Sequence, residues 1–260
     1  MPMQSRLRKC ALGVFVASLA ATGGAAAKPA KHRVKKPRIT VDADLANAPS
    51  AKYGALTKDA CIKELKQRAI RFTEVASARG VMAPVRLDGS LHGVRYHTEV
   101  PEKDRATTPY EVFDCRLVLA LDDFGPILQK HGIEEAIIFS AWRPPAKSWP
   151  ADKPATRHPG ALAVDIRRMV KAKPTSAGPK DKAPDLVVLR DWTPARDVPP
   201  CAPGTAIAPD TKEAREIRAI FCEAAAARIF TTQLGPNYNK PHENHFHLEV
   251  TPGVTWRLIL

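Results

Sequence analysis

The sequence predicts an α+β fold, a small and mainly antiparallel central sheet flanked by helices. Long segments near 57–76, 112–130 and 212–230 carry apolar side chains at helical spacing, whereas short runs of Ile, Val, Leu and Ala near 135–140, 161–167, 186–190 and 245–250 have the length of strands. Helices mostly stand before the strands they flank, with connections suited to antiparallel pairing, which is the order of an α+β domain. Residues 54–260 are enough for one domain with a sizeable core, and no internal repeat is seen.

Each element has its own signal. Thr57 is placed to cap a helix running to Ala76, with Ile62, Leu65, Ala69 and Phe72 along one side. Leu91 to His97 reads as a β-hairpin around Gly93. Val112 to Lys130 reads as a helix broken or bent near Gly125 and Pro126. Glu135 to Ser140 is a buried strand that delivers Arg143 to its C-terminal edge. Ala161 to Arg167 is a second strand, with Asp165 on the face shared by Ala163 and Arg167, and Leu186 to Arg190 is a third. A helix over Lys212 to Phe230 leads to the last strand, His245 to Val250.

The N-terminus shows Arg6, Arg8 and Lys9, an apolar run from Cys10 to Ala21, and the small-residue stretch Ala25-Ala26-Ala27. This is the pattern of a cleaved signal peptide over residues 1–27, and the run is too short for a membrane span. Residues 28–53, rich in Lys, Pro and Ala without apolar periodicity, read as a mobile linker. A periplasmic or secreted monomer without a transmembrane anchor is the expectation. Export leaves Cys61, Cys115, Cys201 and Cys222, an even set that suits disulfides; the sequence does not fix the connectivity. We favour Cys61–Cys115 and Cys201–Cys222, since each pair would tie a helix to a neighbouring element.

The formal net charge is +13, and removing residues 1–27 takes three cations and no acid, leaving +10. Such a surplus suits an acidic polymer. Nucleic acid fits the number equally well, but no nucleic-acid-binding motif is present and export argues against that partner.

Chemistry concentrates in three places. His158 and Asp165 stand seven apart around a Gly, with Asp165 ending the apolar run Ala161-Leu162-Ala163-Val164; far downstream come His245 and His247; and Arg143 follows the buried strand. A catalytic zinc takes three His, Asp or Glu ligands and leaves a fourth position for water. His158, Asp165 and His247 supply those three. Alternating side chains place His245 on the same face as His247, free to handle protons. An unpaired carboxylate in an apolar run is costly to bury, and a cation beside Asp165 removes that cost. Two histidines and a carboxylate also suit iron(II), but the seven-residue spacing favours zinc. His92 and His97 read as structural, and Trp142 and Trp149 as packing or groove residues. Glu243 or Glu249 would orient a ligand histidine, and His242 lies close by.

These residues resemble a known family. Ser140-Ala141-Trp142-Arg143, an HxxGxAxD element read on His158, Gly160, Ala163 and Asp165, and His245-x-His247 follow the order seen in zinc peptidases of the D-alanyl-D-alanine carboxypeptidase and lysostaphin superfamily, which includes the hedgehog signalling domain. Within it the chain looks like the bacterial extensin-like C-terminal domain family, through Cys115-Arg116-Leu117-Val118-Leu119-Ala120-Leu121, the strand running into Ser140 and Arg143, and the ending His245-Phe246-His247-Leu248-Glu249. The resemblance spans roughly Lys58 to Val250. It implies His158, Asp165 and His247 as zinc ligands, His245 as the catalytic partner, and Arg143 near the substrate carbonyl or carboxylate, with Ser140 and Thr156 at the substrate. Thr156 stands where relatives often have Ser, and the segment Pro144–Ala155 is longer than in relatives. The implied function is a zinc peptidase acting on peptidoglycan stem peptides, with peptidoglycan or another anionic envelope polymer as partner. The alternative is a zinc-containing envelope-binding module without catalysis.

Overall fold

The structure is a computed structural model that describes residues 40–41, 44–176, 178, 182–196 and 198–260. All of them lie in one of the chain's two compact units, residues 36–260. In chain order the strands are β1 (Thr40–Val41), β2 (Phe72–Glu74), β3 (Pro84–Leu87), β4 (Arg95–His97), β5 (Phe113–Asp114), β6 (Ile133–Ile138), β7 (Ala163–Lys171), β8 (Asp185–Val187), β9 (Thr232–Leu234), β10 (Phe246–Glu249) and β11 (Trp256–Ile259). The helices are α1 (Pro49–Gly54), α2 (Lys58–Gln67), α3 (Glu102–Arg105), α4 (Cys115–Lys130), α5 (Val188–Asp191) and α6 (Lys212–Ala226).

The fold is α+β, as expected. The main sheet runs β1-β11-β9-β10-β7-β6-β4, with β8 also on β7. It is antiparallel except at β4–β6 and β9–β11. A smaller antiparallel sheet runs β2-β3-β5. Long β7 carries β10 along Ala163–Ile166 and β8 along Arg168–Val170, with β6 on its other edge. That placement puts the middle of β7 in the middle of the sheet.

The core is built around α4. Asp114 caps it by accepting from Arg116 N–H at 3.1 Å, and Leu117, Val118, Leu119, Ala120 and Leu121 are all buried, so its first half is enclosed on every side, while Pro126, Gln129 and Lys130 near its end are exposed. Trp192, Phe221 of α6 and Phe246 of β10 form an aromatic group behind the sheet, with ring centroids 4.9–5.4 Å apart. Cys61–Cys115 joins α2 to α4 and Cys201–Cys222 ties the 198–211 segment to α6, the pairing favoured above. In the chain-entropy description their loops stabilise by about 4 and about 3 kcal/mol.

Several boundaries differ from expectation. The first helix ends at Gln67, not Ala76, in a Schellman motif: Ala69 adopts φ 54, its N–H donates to Lys66 O, and Ile70 N–H donates to Leu65 O. Phe72 then belongs to β2. α6 ends at Ala226 in the same way, with Arg228 at φ 55. Residues 112–114 precede α4, which runs through Pro126 as one helix. Leu91 and Val94 form the bridge of a tight turn, but the strand that follows pairs in parallel with β6, so no hairpin forms. β8 is shorter than expected and passes into α5. The end of the presumed linker is folded: α1 buries Tyr53, whose hydroxyl meets Asp123 and Arg68. The signal-peptide segment and the rest of the linker up to residue 39 lie outside the described residues.

Candidate metal centre

The centre is assembled by a cross-strand pair. β10 and β7 align with His247 directly opposite Asp165, which brings facing side chains within reach. Past the end of β6 the pairing continues through backbone bonds from Phe139 N–H to Asp165 O and from Asp165 N–H to Ser140 O. The third residue, His158, is carried by a tight 3-10 turn, His158–Gly160. Its backbone carbonyl accepts from Arg143 N–H at 3.1 Å.

That turn is conformationally demanding. A Cβ at Gly160 would stand 2.2 Å from Ala155 O, so only glycine allows the approach. The glycine sits two residues after His158, which corrects the HxxGxAxD spacing read above. The third position is Ala161, at φ 51 and ψ 27, a left-handed conformation. Arg157 adopts φ 55 and ψ −144, a region costing a non-glycine residue about 1–3 kcal/mol.

Three donor atoms converge. His158 Nε2 lies 3.1 Å from Asp165 Oδ1, His247 Nδ1 lies 3.0 Å from the same oxygen, and the two nitrogens are 3.2 Å apart. All three residues are buried. A tetrahedron with zinc arms of about 2.0–2.1 Å has edges of about 3.3–3.4 Å, close to this triangle. The far sides of the rings are engaged as metal-binding histidines require. His158 Nδ1 is 2.9 Å from Ala141 O and His247 Nε2 is 3.2 Å from Glu249 Oε2. Those partners turn the opposite nitrogen lone pairs inward, where three lone-pair atoms repel unless a cation or proton joins them. The donor set therefore fits a divalent ion of the zinc type.

Around the triangle, His245 Nε2 is 3.4 Å from Asp165 Oδ1 and its Nδ1 is 2.8 Å from Asn244 Oδ1. Arg143 donates from Nε to Ser140 Oγ at 2.8 Å and from Nη2 to Asp165 Oδ2. Asp165 thus offers one oxygen to the centre and the other to Arg143. Thr156 is exposed on the rim.

Electrostatics follow from burial and pairing. Burial pushes the Asp165 carboxyl up, but bonds to His158 and His247 outweigh it and hold it well below the usual carboxylate range. Burial pushes His247 down, yet Asp165 and Glu249 prevail and raise it to about 9. His245 is lowered, chiefly by burial, against the opposing pull of Asp165. Burial together with repulsion from His245 and His247 lowers His242 to about 4.

The centre opens into a cleft of about 680 Å³. Hollows of comparable volume open elsewhere, so chemistry rather than size distinguishes this one. Leu234, Tyr238, Trp256 and Leu258 give it an apolar wall, while Arg143, Thr156, Arg157, Asn239 and His242 border it. The wall residues and Arg157 were not anticipated; the 235–239 coil carries no periodic signal, and Arg157 only adjoins the candidate ligand His158. Of the two acids expected to orient a histidine, Glu249 does so, whereas Glu243 pairs with Arg196. His92 and His97 lie away from the centre, near Asp122 and Glu135 respectively. Trp149 donates from Nε1 to Lys153 O within the 144–155 segment, outside the cleft wall.

Fold and site together define an α+β domain whose sheet carries a candidate two-histidine, one-aspartate metal centre. The family described as extensin-like protein C-terminus matches residues 204–258, which run from just before α6 into β11 and include His245, His247 and Glu249. This match supports the extensin-like resemblance over that segment. No curated protein and no solved structure matches the chain.

Proposed function

We propose that this chain is an extensin-like zinc peptidase of the bacterial cell envelope, acting on peptidoglycan stem peptides. The observation that carries the reading is the convergence of His158 Nε2, Asp165 Oδ1 and His247 Nδ1 at 3.0–3.2 Å, with His245 beside them, at the base of an open cleft. Two disulfides suit an oxidising compartment. Among the described residues no helix is long and apolar enough to cross a membrane.

His158, Asp165 and His247 would hold the ion. A zinc ion bound there supplies a Lewis acid and a water whose pKa falls to about 7. His245, kept neutral by burial and oriented through Asn244, presents Nε2 to take a proton from the attacking water and return it to the departing amine. Arg143 steadies Asp165, and guanidinium donors not used there are available to charge developing on the carbonyl oxygen. The basic net charge suits an anionic wall polymer.

The test is release of alanine or shorter peptides from muropeptides by zinc-reconstituted protein, wild type beside His245→Ala. We expect the variant to keep zinc and lose about 10²–10⁴-fold in rate. Undiminished turnover by the variant would contradict the role of His245. Zinc retained with no product from wild type would support the non-catalytic envelope-binding reading instead.

A further inference from the structure

Two guanidinium groups border the cleft, and they are not equivalent. Arg143, though half exposed, is engaged by the centre, with Nε on Ser140 Oγ and Nη2 on Asp165 Oδ2. Arg157 turns outward: its side chain is 73 % exposed, and Nε stands 3.9 Å from Glu249 Oε2, beyond hydrogen-bond range. Glu249 itself is buried and committed to His247 and Thr251.

The backbone at Arg157 sharpens the contrast. Its φ of 55 and ψ of −144 suit glycine and not a residue with a Cβ. Gly160 N–H and Leu162 N–H both donate to the Arg157 carbonyl, at 3.1 and 2.9 Å, so the turn that presents His158 imposes this conformation. Glycine would serve the fold better. An arginine held there against its backbone preference, exposed, in the cleft and next to His158, is accounted for by what its guanidinium binds.

We infer that Arg157 holds a carboxylate of the substrate, while Arg143 serves Asp165 and the carbonyl under attack. The substrate class is a peptide with a free carboxylate close to the bond cleaved, which favours terminal over internal cleavage. A planar guanidinium matches a carboxylate with two parallel hydrogen bonds, and Glu249 draws it toward the cleft without occupying it at bonding distance. The inference rests on the zinc-peptidase reading and names the substrate feature that the same site recognises.

The test uses the full chain loaded with zinc, titrated calorimetrically with acetyl-alanyl-alanine in D,D and L,L forms, each as the free acid and as the C-terminal amide. Wild type is expected to prefer one of the acids over its amide by at least about tenfold, since a charge-assisted pair contributes about 10- to 100-fold. Arg157→Gly is expected to abolish that preference while keeping zinc and melting no lower than wild type. No acid preference in wild type, or a preference that survives in Arg157→Gly, overturns the inference. If Arg157 serves only as a partner of Glu249, the variant changes zinc affinity and leaves the acid-to-amide ratio intact, which also overturns it. Failure of the underlying reading shows separately, as zinc binding that His158→Ala does not weaken.

Discussion

His247 and Asp165 face each other across β10 and β7, and His247 Nδ1 stands 3.0 Å from Asp165 Oδ1. One register thus fixes two of the three donors. A slip of β10 by one residue would turn His247 to the opposite face and leave Asp165 without it.

Glu249 fixes the outer side of the His247 ring. Glu249→Gln should lower zinc affinity by about 10- to 100-fold without unfolding the chain. Competition against a chromophoric chelator measures this directly. An unchanged affinity would remove Glu249 from the account.

The pH dependence has a definite sign. In the metal-free protein Asp165 and Glu249 raise the pKa of His247 to about 9 from its ordinary 6.5. Its contribution to stability is therefore full below 6.5 and lost as pH rises through about 9. Asp165 has the opposite sign: its carboxylate contributes above its ordinary value of 3.8 and loses that contribution as pH falls through its depressed folded value. Zinc must displace the proton on His247, so stabilisation by zinc should grow from pH 6 to pH 8. Thermal melts with zinc or with a chelator test this, and a zinc effect independent of pH would contradict it.

Gly160 admits Ala155 O where a Cβ would stand at 2.2 Å. Gly160→Ala should destabilise by about 1–3 kcal/mol or more and weaken zinc binding, because the displaced turn carries His158. Denaturant titration and metal content of the same sample give both readings.

Ala69 occupies the left-handed position that ends α2. Ala69→Gly should stabilise by up to about 1 kcal/mol, since glycine meets no Cβ conflict there. A lower melting temperature would contradict the Schellman assignment.

The candidate ligand residues were legible because they are sparse, chemically distinctive side chains at fixed spacing. His158, Asp165 and His247 meet as expected, and Cys61–Cys115 and Cys201–Cys222 pair as favoured. Helix ends were not legible where Ala69 and Arg228 take the conformation that glycine usually signals. The pairing of β4 with β6 is a long-range choice that no local pattern encodes. α1 is too short for periodicity, and its order comes from burial of Tyr53 against Arg68 and Asp123. The apolar cleft wall draws on the 235–239 coil and on β11, which carry neither period nor motif.

Metal content of the purified chain, wild type beside His158→Ala after exposure to zinc and exhaustive dialysis, tests the central claim most directly. We expect one zinc per wild-type chain and a large loss in the variant. Wild type without zinc, or a variant that retains it fully, would contradict the assignment of His158, Asp165 and His247 as a metal centre.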